Sequence, residues 1–395
     1  MHLIPRGSPP LGATLGTIQI LIMAGEQFIS RRAKSVDASG VRKMFDLSVT
    51  LKDPINFSIG QPDYDVPDPV KQAAIAAIRE GRNGYTPTQG IAPLVEKLKT
   101  GLRKEFSGYD PALFVTSGVS GGLTLSMLAC LDPGDEVIVP DPYFVSYKHL
   151  VHVLNARPVF LDTYPKFRLS PERLEAAVSP RTRMILINSP GNPTGVVYTA
   201  DELKMVATLA ARHDLLIVAD EIYHDLSYDG ASPSIVSYAP DRTILLRGFG
   251  KSFGMTGWRM GFAAGPAPII AEMSKIQQYT FVLAPSIVQY AGLVALDTPI
   301  RDRIDDYRRK RDLTVKLLSG SFEFTPPSGG FYVFPKAPPQ YTSATEFVTA
   351  AMKHNVLCIP GNIFSEKDTH FRISYAVPND KIEAGCKLLC EMAGR

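Results

Sequence analysis

The sequence has 395 residues, of which 45% are hydrophobic and 21% charged, a composition typical of a globular protein with a sizeable core. Its 42 basic and 39 acidic side chains leave a net charge of +3, which indicates neither a nucleic-acid nor a membrane surface and favours a small-molecule site. The four cysteines never form Cys-x-x-Cys, so we expect neither a disulfide framework nor a metal site, and we expect a reducing, cytoplasmic compartment.

The first 22 residues differ in character from the rest of the chain. The apolar stretch "LGATLGTIQILI" is shorter than the roughly 18 residues that a membrane span needs, and a natural-looking start follows at Met23. We interpret residues 1–22 as a non-native or upstream leader, with a secretory signal as the alternative.

From about residue 70 to 300, helical and strand patterns alternate. "VKQAAIAAIREG" predicts a helix that ends at Gly81, and Thr199-Ala-Asp-Glu202 is a capping box that opens a second helix. The runs "EVIVP", "PVFLD", "MILINSP", "LLIVAD" and "TILLRGF" are typical of strands buried on both faces. This pattern predicts an α/β unit with a mostly parallel sheet.

The C-terminal part of the chain has a different pattern. After about residue 300 we predict a long charged helix, a hairpin in "FEFTPPSGGFYVFPKA", a helix near 344–354, the strands "VLCIP" and "FRISYAV", and a final helix. We therefore expect residues 71–299 to form a large domain. Residues 23–70 and 300–395 are expected to supply an N-terminal arm and a smaller α+β domain.

Polar residues follow the predicted strands, where the sites of parallel sheets lie. Asn192, Asp220 and Lys251 each come shortly after a strand, and Ser117-Gly118 precedes a predicted helix. Singly, each has an ordinary structural interpretation as a turn, a cap, a surface charge or a helix start. Their common placement at strand ends favours a shared site.

Several segments together carry a resemblance to a known family. "NSPGNPTG", "ADEIY", "GKSFGMTGWRMGF" and "HFRISYA", in this order, resemble the class I/II aminotransferases, which are pyridoxal-phosphate enzymes of fold type I. The similarity covers about residues 40–390. It implies a large domain with a mostly parallel, seven-stranded type of sheet flanked by helices, plus a smaller α+β domain.

The resemblance also implies roles for individual residues around the cofactor. Lys251 corresponds to the Schiff-base lysine, which also moves protons, and Asp220 to the carboxylate that keeps the pyridine nitrogen protonated. Tyr223 and Asn192 correspond to donors to the ring's 3′-oxygen. Further cofactor contacts are implied at Ser117, Gly118, Val119, Phe144 and Arg259.

Substrate and subunit contacts are implied in the same way. Arg372 matches the arginine that binds the substrate α-carboxylate, with help from Gly60. Tyr85 resembles a tyrosine that reaches the phosphate in the neighbouring subunit, which implies a homodimer with shared active sites. The resemblance implies pyridoxal 5′-phosphate as cofactor and amino acids and 2-oxo acids as partners.

The sequence departs from the family pattern at two places. Gly248 and Gly250 stand where many relatives carry serines. In our alignment, Val119 takes the place of a lysine that binds the distal carboxylate in some aspartate-specific relatives, so neutral or aromatic donors are alternatives to aspartate.

We expect an aminotransferase that works by a ping-pong mechanism with 2-oxoglutarate as acceptor. Another fold-type-I enzyme, such as a C–S lyase, is the alternative, because the fold does not determine the reaction. A P-loop-like nucleotide binder is a remote alternative, since "GKS" follows an apolar strand, but Leu245 occupies the position of the required glycine. A non-catalytic regulator is disfavoured because such proteins usually lose the lysine that Lys251 provides.

Overall fold

The computed structural model describes residues 25–36 and 51–394. The predicted leader, residues 1–22, lies outside the described residues. Within these ranges no helix combines the length and the apolar character needed to cross a membrane. The same residues hold no group of three or more His, Cys, Asp or Glu side chains placed to bind a metal ion.

The strands of the described chain are β1 (Ile55–Asn56), β2 (Ala112–Thr116), β3 (Glu136–Asp141), β4 (Arg157–Asp162), β5 (Thr182–Asn188), β6 (Leu216–Asp220), β7 (Thr243–Gly248), β8 (Gly261–Gly265), β9 (Tyr332–Val333), β10 (Val356–Leu357), β11 (Ile359–Pro360) and β12 (Phe371–Ser374). A seven-stranded sheet forms the centre of the molecule, in the order β2-β8-β7-β6-β5-β3-β4. Only β8 runs antiparallel to its neighbours, which confirms the prediction of a mostly parallel sheet.

Helices cover both faces of this sheet, as the continuous apolar strands require. In β5, Ile185 and Ile187 join one hydrophobic cluster, whereas Met184 and Leu186 join another on the opposite face. The helices are α1 (Arg31–Lys34), α2 (Asp68–Arg79), α3 (Ala92–Glu105), α4 (Gly118–Cys130), α5 (Ser146–Val153), α6 (Pro171–Ala176), α7 (Ala200–Arg212), α8 (Phe249–Ser252), α9 (Ala267–Tyr279), α10 (Ser286–Ala295), α11 (Arg301–Leu318), α12 (Ala344–Lys353) and α13 (Asn379–Met392).

Local sequence signals set several helix ends. The predicted capping box is present at α7, where the Thr199 hydroxyl accepts from the Glu202 N–H and the Glu202 carboxylate accepts from the Thr199 N–H. Gly81, just beyond α2, has a φ of +73°, which a glycine adopts without steric cost.

A smaller unit packs beside the central sheet. It holds the sheet β11-β12-β9, the parallel pair β1-β10, and helices α11, α12 and α13. Because β1 pairs with β10, the segment after β1 joins this unit and then leads directly to Gly60.

The hairpin-like segment of residues 322–337 forms no strand ladder of its own, although the Lys336 N–H donates to the Glu323 carbonyl. Phe322 forms only an isolated bridge with Ser319, and β9 pairs instead with β12, 40 residues further along, as Ile373 lies opposite Val333.

The topology places the carboxyl ends of the central strands beside the smaller unit. Asn188 at the end of β5 lies opposite Asp220 at the end of β6, and β7 leads directly into α8, which carries Lys251. The predicted site residues at strand ends therefore meet at one edge of the sheet.

Candidate active site

A cavity of about 370 Å³ opens at this edge, between the ends of β5, β6 and β7 and the strands β9 and β12. Ten of the predicted site residues line it: Gly60, Gly118, Val119, Phe144, Asn192, Asp220, Tyr223, Lys251, Arg259 and Arg372. The two predicted site residues that do not are Ser117, the N-cap residue of α4, and Tyr85, whose surface is 90% exposed.

Lys251 lies in the cavity at the end of the four-residue helix α8, and its Nζ donates a hydrogen bond of 2.5 Å to the carbonyl of Gly60. Burial, together with the positive charges of Arg372 and Arg259, lowers its pKa from 10.5 to about 8, against the opposing effect of Asp220. A large fraction of this amine is therefore neutral, and so nucleophilic, at mildly alkaline pH.

Asp220 is a buried carboxylate, 3% exposed, with no cationic partner among the described side chains. Its Oδ2 accepts a hydrogen bond of 2.7 Å from the Tyr147 hydroxyl, and its Oδ1 accepts one of 3.2 Å from the Ile222 N–H. Burial raises its pKa from 3.8 to about 6, although both hydrogen bonds act in the opposite direction. A cationic N–H group in the cavity would supply the missing partner.

The N-terminus of α4 and Arg259 together form a cradle for an anion. Arg259 adopts the left-handed conformation at φ +56° and donates to the Thr256 carbonyl, and in the described part of the chain it has no carboxylate partner. A Cβ on Gly118 would lie 2.7 Å from Nη2 of Arg259, so only glycine allows the guanidinium to approach this helix end. Because α4 has thirteen residues and free N–H groups at its start, the cradle suits a phosphate.

Arg372 on β12 provides a second anion site. Its side chain is buried; Nη1 donates 3.0 Å to Oδ1 of Asn192, Nη2 donates 2.7 Å to the carbonyl of Ser58, and its buried Nε has no hydrogen-bond partner among the described residues. Burial lowers its pKa, and no carboxylate of the described residues neutralises its charge. A carboxylate ligand would do so.

Other side chains shape the space between the two anion sites. The Tyr223 hydroxyl lies 3.1 Å from the Tyr332 hydroxyl, and the Phe144 ring packs edge-on against Tyr147. The backbone N–H of Asn192 donates 2.8 Å to Oδ1 of Asn188.

Our sequence reasoning missed three side chains at this site, namely Tyr147, Asn188 and Tyr332. Asn188 donates to the Asp220 carbonyl and accepts from Asn192, and thus joins two of the predicted residues. Asn188 and Tyr147 lie inside the family-like segments "MILINSP" and "PYFVSY", where their polar character was a usable signal. Tyr332 lies in the segment that we took for a hairpin.

The two glycines that depart from the family pattern differ in their surroundings. A Cβ on Gly248 would lie 3.1 Å from both the Met260 carbonyl oxygen and a methyl group of Val119. A Cβ on Gly250 would make only ordinary contacts at 3.6 Å or more. A serine at position 248 would therefore crowd the chain, whereas one at position 250 would fit.

The cavity as a whole fits pyridoxal phosphate. A phosphate would meet the α4 cradle, a protonated ring nitrogen would meet the unpaired Asp220, and an aldehyde would meet an amine whose pKa is already lowered. The second anion site, at Arg372, remains for a carboxylate substrate. This donor set matches each charged part of the cofactor.

Comparison with known proteins gives a consistent result. The family model "Aminotransferase class I and II" matches residues 52–389. The chain is 35% identical to a probable aspartate aminotransferase of Methanocaldococcus jannaschii, over 92% of this chain and 99% of that protein. It is also 35% identical to aromatic-amino-acid aminotransferase 2 of Thermococcus litoralis, over 90% and 95%. The solved aspartate aminotransferase from Thermus thermophilus with maleate has 34% identity and a TM-score of 0.88, over 92% of this chain and 99% of that one.

Proposed function

The chain belongs to the class I and II aminotransferases and is a pyridoxal-phosphate-dependent transaminase with the fold of type I, and from this premise we propose its substrates and the roles of its residues. The proposed reaction passes an amino group from an aspartate, aromatic or other neutral α-amino acid to a 2-oxo acid, 2-oxoglutarate, in two ping-pong half-reactions. The observation that carries the proposal is Lys251 between two unneutralised arginines, Arg259 and Arg372, beside the buried carboxylate of Asp220.

We propose the cofactor contacts from the family resemblance and from the positions of these residues around the cavity. Arg259 and the N-terminus of α4, including Ser117, Gly118 and Val119, hold the phosphate. Asp220 would hold a proton at the ring nitrogen, Tyr223 and Asn192 would donate to the 3′-oxygen, and Phe144 would pack on the ring. When bound, the cofactor supplies an electron sink for the negative charge that develops at the substrate α-carbon.

Lys251 performs two tasks in this proposal. As a neutral amine, which its lowered pKa favours, it would hold the cofactor covalently at the aldehyde carbon. With substrate bound, the Nζ would move the proton of the substrate α-carbon. The Gly60 carbonyl, which accepts from Nζ, keeps the amine at the cavity wall beside the substrate site.

Arg372 binds the substrate α-carboxylate. No described residue accepts a hydrogen bond from its Nε, and its two Nη groups now donate to neutral oxygens. A carboxylate can therefore take over part of this fork as a charge-assisted pair. Gly60 lines the same cavity, and its backbone N–H is the proposed second contact to the substrate carboxylate.

The other residues that line the cavity favour amino donors whose side chain carries no charge. The charged residues that line the cavity are Asp220, Lys251, Arg259 and Arg372, and each already has a role. Within the described residues of one chain, no further cation is left in the lining for a second carboxylate. This supports neutral or aromatic amino donors over aspartate, although relatives with both names are similar to this chain. By the same reasoning, the second carboxylate of the proposed acceptor, 2-oxoglutarate, needs a cation from outside this lining, and the neighbouring subunit of a homodimer is the proposed source.

We further propose that the active species is a homodimer. Tyr85 is 90% exposed and outside the cavity of its own chain, so a role at the phosphate requires the neighbouring subunit's site. Mixing Tyr85→Ala with Lys251→Ala chains should restore activity, because one of the two sites in a hybrid collects both defects and the other none. Inactive hybrids that are shown to form would contradict the shared site.

The location proposed for the enzyme is the cytoplasm. All four cysteines, including the buried Cys358 and Cys386, are free. Free cysteines are typical of a reducing compartment.

The direct test of the function is chemical trapping followed by a substrate panel. Borohydride reduction of the holoenzyme and peptide mapping should place the reduced cofactor on Lys251. Incubation with 2-oxoglutarate and single amino acids should then yield glutamate and the matching 2-oxo acid. Reduced cofactor on another lysine, or release of thiol or pyruvate from cysteine derivatives without glutamate formation, would overturn the proposal, and the second result would identify a lyase.

A further inference from the structure

Tyr332 lies between the two halves of the site and belongs to neither of the assigned sets. It sits on β9, is 1% exposed, and lines the cavity. Its ring lies beneath the guanidinium of Arg372, with 4.5 Å between the guanidinium carbon and the ring centroid. Its hydroxyl lies 3.1 Å from the hydroxyl of Tyr223. One side chain thus contacts the carboxylate arginine and the 3′-oxygen tyrosine.

The Tyr332 ring is one of two aromatic rings over which the Arg372 guanidinium lies. The Phe364 ring lies 4.6 Å from the same guanidinium carbon, so two aromatic rings enclose the cation. The hydrogen bonds of Arg372 go to the Asn192 amide oxygen and the Ser58 carbonyl, and neither of these carries a charge. The aromatic faces therefore add to the electrostatic support that these two carbonyl oxygens give the buried cation until a carboxylate arrives.

The Tyr332 hydroxyl is held in one place. A Cβ on Gly60 would lie 2.7 Å from it, so the hydroxyl occupies the space that a larger residue at position 60 would need. Its one hydrogen-bond partner among the described residues is Tyr223. Burial raises the pKa of both tyrosines, but Arg372 counteracts this most directly at Tyr332. The more acidic phenol is the better donor, which leaves the proton of Tyr223 free to point into the cavity.

We propose that Tyr332 is a positioning residue that sets both the orientation of the Arg372 fork, through its ring, and the direction of the Tyr223 hydroxyl proton, through its own hydroxyl. This inference rests on the proposed function, since it concerns the carboxylate site and the 3′-oxygen site of the same cavity. The two parts of one side chain have separate tasks, so two substitutions separate them.

Tyr332→Phe removes the hydroxyl and keeps the ring. Without the Tyr332 donor, Tyr223 is a weaker donor to the cofactor's 3′-oxygen, and the pH midpoint of the bound cofactor's absorption change should rise by about 0.3 unit or more. Affinity for unreactive carboxylates, measured with maleate and 3-phenylpropionate by spectral titration, should stay within about twofold, because the cation–π contact remains.

Tyr332→Leu removes the ring as well. Its affinity for the same two carboxylates should fall by roughly 3- to 30-fold, the range expected for a lost cation–π contact. Tyr375→Phe is the matched control, because Tyr375 is a buried tyrosine of the same unit whose hydroxyl donates 3.3 Å to the Gly330 carbonyl, outside the cavity lining. It should change neither the midpoint nor the affinities.

The outcomes distinguish this inference from the proposed function. If the parent protein does not carry the cofactor on Lys251, the proposed function fails and the inference fails with it. If the parent does, an unchanged midpoint in Tyr332→Phe, an equal change in Tyr375→Phe, or carboxylate affinity of Tyr332→Leu equal to that of the parent overturns the role of Tyr332 alone. If Tyr332→Leu does not fold, the comparison of Tyr332→Phe with Tyr375→Phe still tests whether the Tyr332 hydroxyl has the proposed role.

Discussion

In the cofactor-free protein, acylation of Lys251 should have a pH midpoint near 8 rather than near the ordinary 10.5. The difference of 10.5 − 8, about 2.5 units, corresponds to about 3 kcal/mol of destabilisation of the ammonium form. At pH 8 about half of the Lys251 amines would be neutral, compared with about 0.3% for an ordinary lysine. Burial is the largest cause, and the charges of Arg372 and then Arg259 add to it.

Substitution of the neighbouring charges tests these causes separately. Arg372→Gln should raise the midpoint, because the largest like-charge repulsion is gone, and Arg259→Gln should raise it less. Asp220→Asn should lower it, because the carboxylate favours the ammonium form. The order of these three midpoints is a sharper test than the value for the parent.

The assay is competitive labelling with trace acetic anhydride between pH 6 and pH 11, followed by peptide mass analysis. The exposed Lys353 in the same digest is the internal reference for reagent decay. A midpoint near 10.5 in the parent, or a midpoint that falls in Arg372→Gln, would refute the explanation by burial and like charge.

Two further predictions concern stability. Burial raises the pKa of Asp220 from 3.8 to about 6, so the folded state is favoured when this carboxyl is protonated, and that contribution to stability is lost as the pH rises through 6. The cofactor-free Asp220→Asn variant should therefore be more stable than the parent at pH 8, by up to about 3 kcal/mol. At pH 4 it should not be more stable than the parent. Calorimetry at both pH values checks this, and an equal difference at the two would contradict it. Lys310 is 8% exposed and pairs with Asp63 and Asp306, so Lys310→Met should lower the free energy of unfolding in urea by about 3 kcal/mol. Adding Asp63→Asn should recover part of that loss, and no recovery would contradict the pairing.

Local patterns in the sequence were sufficient for the central layers of the fold. Short apolar runs with no polar face predict strands buried on both sides, and the structure has them in the parallel sheet. The capping box at Thr199 and the glycine stop after α2 are also local, because their partners lie within a few residues. The predicted hairpin ladder in residues 322–337 is absent because the partner of β9 is β12, and strand pairing across 40 residues leaves no local signal in the sequence.

The residues of the candidate site were likewise predicted partly from local patterns and partly from the family resemblance. The sequence alone determined that Asn192, Asp220 and Lys251 follow strands, and the resemblance added Arg259 and Arg372. Parallel strands bring their carboxyl ends to one edge, so the first three had to meet.

Tertiary structure alone decided the hydrogen-bond partners and the pKa values of these residues. Arg372 and Asn192 are 180 positions apart, yet they share a hydrogen bond, and Tyr332 contacts Arg372 and Tyr223 from a strand whose pairing we did not predict. The lowered pKa of Lys251 and the raised pKa of Asp220 come from burial and from charges on other elements. Sequence periodicity shows which face of an element is buried, but the neighbours of a buried charge depend on how distant elements pack, and those neighbours set its chemistry.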